Sequence, residues 1–188
     1  MAKPHFTISP LEPGDRLTRS EFEHCYSAMP HLKKAELIEG KVFMASPVRI
    51  VSHGRPHALV MTWLGTDYAA TPGVDMGDNA TIRLDANNEP QPDGLLRLEP
   101  EVGGTSYISE DGYVEGAPEL IVEVATSSGS YDLDEKLQVY RRNGVQEYLV
   151  WQVNDQQIDW FSLQEGQYVA LKPEADETIR SRVFPGLC

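Results

Sequence analysis

The chain has 188 residues, 40% of them hydrophobic and 24% charged, and carries a formal net charge of -13 at pH 7. That length suits one domain, and no apolar run approaches the ~20 residues that a membrane-spanning helix needs. A surface this acidic repels phosphate backbones on average and weighs against non-specific nucleic-acid binding. Cys25 and Cys188 lie far apart with no CxxC spacing, and the opening MAKPHFTISP lacks the apolar stretch of a secretory signal. The expectation is a reducing cytoplasm, with neither a disulfide framework nor a thiolate zinc site.

Residues 1–16 are rich in Pro and Gly and read as an extended arm ahead of a single domain over 17–188. LTRSEFEHCYSAMP (17–30) predicts a short helix, capped by Thr18 or Ser20 and ended by Pro30. AELIEGKVFMAS (35–46) predicts a β-hairpin turning at Glu39-Gly40. SHGRPHALVMTWLGTDYAAT (52–71) predicts a long helix, with Ser52 at its N-cap and Pro56 in its first turn. Three strand-like runs follow, at 74–84, 93–98 and 119–125, the last two separated by a long loop over 99–118. Loops of that length in a compact domain are often functional or mobile.

SYDLDEKLQVYRRNG (130–144) is the clearest helix, with Leu133, Leu137 and Tyr140 on one face and Gly144 as its stop. Strands are expected at 147–153, 157–164 and 167–172. The alternation of helices and strands predicts an α/β fold: a central mixed β-sheet flanked by helices, preceded by an N-terminal helix and a β-hairpin.

ELIVEVATSS (119–128) carries a carboxylate, Glu123, between the apolar pairs Ile121-Val122 and Val124-Ala125. Asp93, after Pro92, opens the preceding strand. One buried carboxylate is costly to ionise, and two together are worse unless a cation neutralises them. Mg²⁺ is held by one or two carboxylates plus waters and substrate phosphate. A divalent cation, Mg²⁺ or Mn²⁺, shared by Asp93 and Glu123 is therefore the simplest account of the pair. Lys136, on the helix after Glu123, has Asp132 one turn back. A lysine beside such a cation orients water or stabilises charge developing at phosphorus.

The segments AELIEGKVFMASPVRIVSH, QPDGLL, GAPELIVEVATSS, DLDEKLQVYRRNGVQEYLVWQV and VFPGL resemble the Uma-type restriction endonuclease family, within the PD-(D/E)xK nuclease superfamily. The resemblance runs over roughly residues 17–187 in ordered blocks. It implies a restriction-endonuclease-like core and a Mg²⁺-dependent site acting on nucleic acid, with DNA the expected substrate. Matched residue by residue, the PD aspartate is Asp93 and the acid of the (D/E)xK element is Glu123. Ala125 stands where the general pattern has lysine, and the family's displaced lysine matches Lys136. Glu36 matches the acid of the family's ELIDG motif, and His53 its histidine after SP. The chain departs from the pattern at EVATSSGSYD, where no basic residue lies between Glu123 and Lys136.

Each residue also has a plainer reading. PDG is a common turn, Glu123 suits an exposed edge strand, and Lys136 suits a surface pair with Asp132. Glu36 reads equally well as a solvated strand residue and His53 as a helix start without chemistry. His53 and His57 are spaced i,i+4, but no HExxH glutamate or cysteine accompanies them, which argues against zinc. Trp63, Trp151 and Trp160 fall on apolar faces and are expected in the core. Two classes of function remain: a metal-dependent endonuclease, or a nuclease-fold binding or scaffold protein with weak or no turnover. The second is motivated by the net charge and the absence of a basic residue between Glu123 and Lys136. Superfamily members that cut both strands often act as homodimers, which leaves dimerisation open here.

Overall fold

The computed structural model describes residues 9–45, 47–125 and 131–188, and of Tyr131 and Asp132 the backbone alone. Helix α1 spans Arg19–Ser27. Thr18 caps it: its side chain accepts from the Glu21 amide, and Glu21 Oε2 accepts from the Thr18 amide at 2.8 Å. Residues 1–8 of the expected arm, and Ser46 at the hairpin's end, lie outside the described residues. From residue 9 onward the arm packs on the body, with Leu11 buried and Arg16 bridging to Lys41.

The hairpin pairs β1 (Ala35–Ile38) with β2 (Lys41–Met44). Its turn places Glu39 at φ 52° and Gly40 at φ 69°, the left-handed region that a glycine adopts without strain. Leu37 and Val42 bury with Phe22 and Leu11 in a core of their own.

Helix α2 spans Arg55–Ala70 and follows a π-helical turn over Ile50–Gly54. The Arg49 carbonyl accepts both the His53 amide at 3.1 Å and the Gly54 amide at 3.0 Å, which widens the first turn. Pro56 sits in the first turn of α2 as expected, but Ser52 is not the N-cap. Winding begins at Ile50, so Ser52 lies inside it.

The run expected as one strand over 74–84 is broken. β3 (Val74–Asp78) and β4 (Ile82–Arg83) join different sheets, because Asn79 at φ 50° turns the chain between them. β5 is Gly94–Leu98. The segment 99–118 carries a 3-10 turn at Pro100–Val102 and two short strands, β6 (Tyr107–Ile108) and β7 (Val114–Glu115). β4, β7 and β6 form a three-stranded sheet.

β8 (Leu120–Ala125) leads to a π-helical stretch at Tyr131–Lys136 and helix α3 (Leu137–Asn143), ended by Gly144 at φ 85°. β9 (Glu147–Gln152), β10 (Gln157–Gln164) and β11 (Gln167–Ala170) follow. The six-stranded sheet has the order β11-β10-β9-β8-β5-β3, with β8 and β9 parallel and the remaining neighbours antiparallel. The β8-α3-β9 crossover is what a parallel pair requires. One face of the sheet buries Leu95, Ile121 and Tyr148 with Val139 and Tyr140 of α3. The other buries Leu96, Val122, Leu149 and Trp160 with Val60 and Leu64 of α2. Trp63 and Trp151 pack against that second cluster. The fold is thus a mixed α/β sheet between helices, with an N-terminal helix and hairpin. Among the described residues no helix is long and apolar enough to cross a membrane.

Candidate active site

β8 is an interior strand; Glu123 pairs with Val150 of β9, and on the other side the register with β5 ends one residue before it. Alternation sets its face: Ile121 and Ala125 point into the α3 core, and Glu123 lies between them. Asp93 stands one residue beyond the Gly94↔Val122 pair of β5 with β8, where the register, carried on by one residue, meets Glu123. Leu95, two residues on, also points into the α3 core. Asp93, Glu123 and Lys136 are 3%, 4% and 3% exposed, which excludes the solvated readings of all three.

PDG is therefore not a turn here. Gly94 begins β5, where α2 crosses closely: a β-carbon at Gly94 would lie 2.9 Å from Leu64 Cδ1. The glycine lets the helix press on the strand immediately after Asp93.

Two linked sets of contacts meet at the Glu123-Val124 peptide. In the first, Lys136 Nζ donates to Glu123 Oε1 at 2.8 Å and lies 3.0 Å from Glu36 Oε1. Tyr140 OH donates to the same Glu123 oxygen at 3.1 Å. Glu36, buried on β1, also accepts from the Gln91 amide at 2.8 Å. Lys136 is thereby a buried link between sheet and hairpin rather than a surface residue. The side chain of Asp132, its expected partner, lies outside the described residues.

In the second set, Asp93 Oδ2 accepts from the Val124 amide at 2.8 Å. Asp93 Oδ1 lies 3.3 Å from His53 Nε2 and 3.5 Å from Lys34 Nζ. Burial alone would raise the Asp93 pKa, but the His53 hydrogen bond, the Lys34 charge and the Val124 amide outweigh it and pull the carboxyl down to about 2. His53 Nδ1 lies 3.0 Å from the Val124 carbonyl. Both neighbours of the ring are acceptors, so the imidazolium satisfies both. Its pKa is raised, chiefly by the Asp93 hydrogen bond and against the opposing effect of burial.

His57 stacks on His53 with ring centroids 5.7 Å apart, and its Nε2 lies 3.0 Å from the Asp93 carbonyl and 3.1 Å from Asp78 Oδ1. Lys34, His57 and Tyr140 thus join the five expected residues. Lys34 and Tyr140 gave no signal of their own: Lys34 precedes β1 in KKAELIEG, and Tyr140 reads as one apolar position of its helix.

Among the described residues no three His, Cys, Asp or Glu side chains are grouped to hold a metal ion. The donors beside the Glu123-Val124 peptide are two carboxylates and a carbonyl oxygen. That is a hard-oxygen set of the kind that suits Mg²⁺ or Mn²⁺, which needs one or two carboxylates, and not the nitrogen and sulfur ligands of zinc. An Asp93 carboxyl held ionised fits the same requirement.

The family model described as "Uma2: Putative restriction endonuclease" matches residues 19–188. The chain belongs to this family. Among solved structures, the Uma2 chain is similar to a protein from Anabaena variabilis described as "a putative nuclease belonging to DUF820". The TM-score is 0.65 at 14% identity, over 90% of this chain and 91% of the other. At that identity the likeness speaks for the fold. No curated protein matches the chain.

Proposed function

We propose that the protein is a divalent-cation-dependent endonuclease that hydrolyses phosphodiester bonds of nucleic acid, with DNA as the expected substrate. The observation that carries this reading is the convergence on one peptide: Asp93 takes the Val124 amide, while buried Lys136 takes the neighbouring Glu123. Membership of the family described as "Putative restriction endonuclease" supports it.

Asp93 and Glu123 are the residues that would hold Mg²⁺ or Mn²⁺. When bound, such a cation supplies Lewis-acid polarisation of the phosphate and acidifies a water. Lys136, fixed between Glu123 and Glu36, carries the positive charge that orients the nucleophile and offsets charge at phosphorus. Glu36 positions Lys136. His53, held as imidazolium by Asp93 and the Val124 carbonyl, keeps a proton at Nε2 near the site for a leaving oxygen. A reducing cytoplasm, and a homodimer where both strands are cut, belong to the same reading.

The test is cleavage of supercoiled plasmid and of single-stranded DNA with Mg²⁺ or Mn²⁺, for wild type and Asp93→Ala. The reading expects cleavage by wild type alone. Identical behaviour of the two proteins on every substrate overturns it and favours a nuclease-fold binding or scaffold protein.

A further inference from the structure

A protein of charge -13 must approach a phosphate backbone through a local exception. Half of the ten arginines are no such exception: Arg19, Arg83, Arg97, Arg142 and Arg180 each hold a carboxylate. Among the described residues Arg182 is exposed and without an ion-pair or side-chain hydrogen-bond partner, and so are Arg49 and Arg55, which lie close together in sequence. They bracket the π-helical turn that carries His53. Between them, Ile50 and Val51 are 67% and 68% exposed, and Val48 before them is 66% exposed. Three β-branched apolar side chains left in water side by side, flanked by unpaired arginines, form an interaction surface rather than scattered exposure.

The turn is tied to the site. The Arg49 carbonyl accepts the His53 and Gly54 amides, and the His53 ring in turn contacts the Val124 carbonyl and Asp93. Ile50 Cδ1 lies over Gly54, 3.4 Å from where a β-carbon would stand. The turn is thus tied to Asp93 and to the backbone beside Glu123.

We infer that the segment Val48–Arg55 is the lip that grips a nucleic-acid strand, with Arg49 and Arg55 on successive phosphates and Ile50 and Val51 against a base. This rests on the nuclease reading above. Apolar wedges of this kind press between bases while cations take the backbone. The lip also supplies, from the turn before α2 and the helix's first residue, the charge missing between Glu123 and Lys136.

The test uses the full chain in Ca²⁺ with labelled 20-mer single- and double-stranded DNA, read by fluorescence anisotropy across a salt series. Arg49→Ala with Arg55→Ala is expected to weaken binding about tenfold and to flatten the salt dependence by about 1.5 in log-log slope. Ile50→Ser with Val51→Ser is expected to weaken binding with the slope unchanged. Lys172→Ala, at an exposed residue beyond the edge strand β11, is expected to bind as wild type does. Wild-type binding and cleavage with an arginine variant of unchanged affinity and slope overturns the lip and leaves the nuclease reading standing. A wild type that neither binds nor cleaves overturns both.

Discussion

Lys136 reaches from the start of α3 to Glu123 in the middle of a buried strand, and its Nζ lies 2.8 Å from Glu123 Oε1 and 3.0 Å from Glu36 Oε1. One ammonium thus serves two buried carboxylates from two sheets, and its loss leaves both without their cation. Removing one partner of a buried ion pair costs about 3 kcal/mol or more. Lys136→Met is therefore expected to lower unfolding free energy by about that amount in urea titration, as well as to abolish cleavage. A variant as stable as wild type would show that Lys136 does not neutralise the pair.

The Asp93-His53 pair gives stability a defined pH dependence. Asp93 titrates at about 2 when folded, below its ordinary value of 3.8, so its contribution is present above about pH 4 and fades as pH falls toward 2. The His53 pKa is raised above its ordinary 6.5, so its contribution is complete below that value and fades as pH rises through the folded pKa. The difference in melting temperature between wild type and His53→Gln is expected to be largest near pH 5–6, between those two ranges, and to shrink at pH 9. A difference that is constant over this range would remove the imidazolium from the account.

Glu89 is a further buried carboxyl, facing Glu23. Burial, then the hydrogen bond and charge of Glu23, push it up to about 8, against the opposing charges of Arg83 and Arg19. A raised carboxyl stabilises the fold at low pH and loses that contribution as pH rises through about 8. Glu89→Gln, which keeps the neutral shape, is expected to match wild type at pH 5 and to be about 2–4 kcal/mol more stable at pH 9. Equal stability at both pH values would mean that Glu89 ionises freely.

Gly94 tests how closely α2 must approach the strand beside Asp93. Its β-carbon would stand 2.9 Å from Leu64 Cδ1 and 3.2 Å from Met61 Sδ, and Leu64 is fully buried. Gly94→Val is expected to cost about 2 kcal/mol by overpacking and to reduce cleavage by displacing Asp93. Full activity with lowered stability would separate the packing from the site.

The burial of Glu123 was legible in the sequence because a carboxylate inside an apolar strand is a local contradiction, visible in ELIVEVA without any partner, whereas Asp93 in PDG read alone as a turn and stood out only beside Glu123 and through the family resemblance. Lys136 was less so. Its spacing from Asp132 suits an ordinary helix surface, and only the family resemblance brought it to Glu123. Lys34 was invisible because it meets Asp93 across a sequence separation of 59, which no local pattern records. β4, β6 and β7 escaped for a different reason: a two-residue strand has no period to read. Ser52 looked like a cap because the sequence shows a polar residue before Pro56, but not the widened turn that starts winding at Ile50.

The central claim is that Asp93 and Glu123 hold one divalent cation between them. A crystal soaked in Mn²⁺ and measured for anomalous scattering addresses it directly. The account predicts a single strong peak within bonding distance of both carboxylates, and its loss in Asp93→Ala. A soaked crystal with no peak there, or with manganese bound elsewhere while cleavage proceeds, would contradict it.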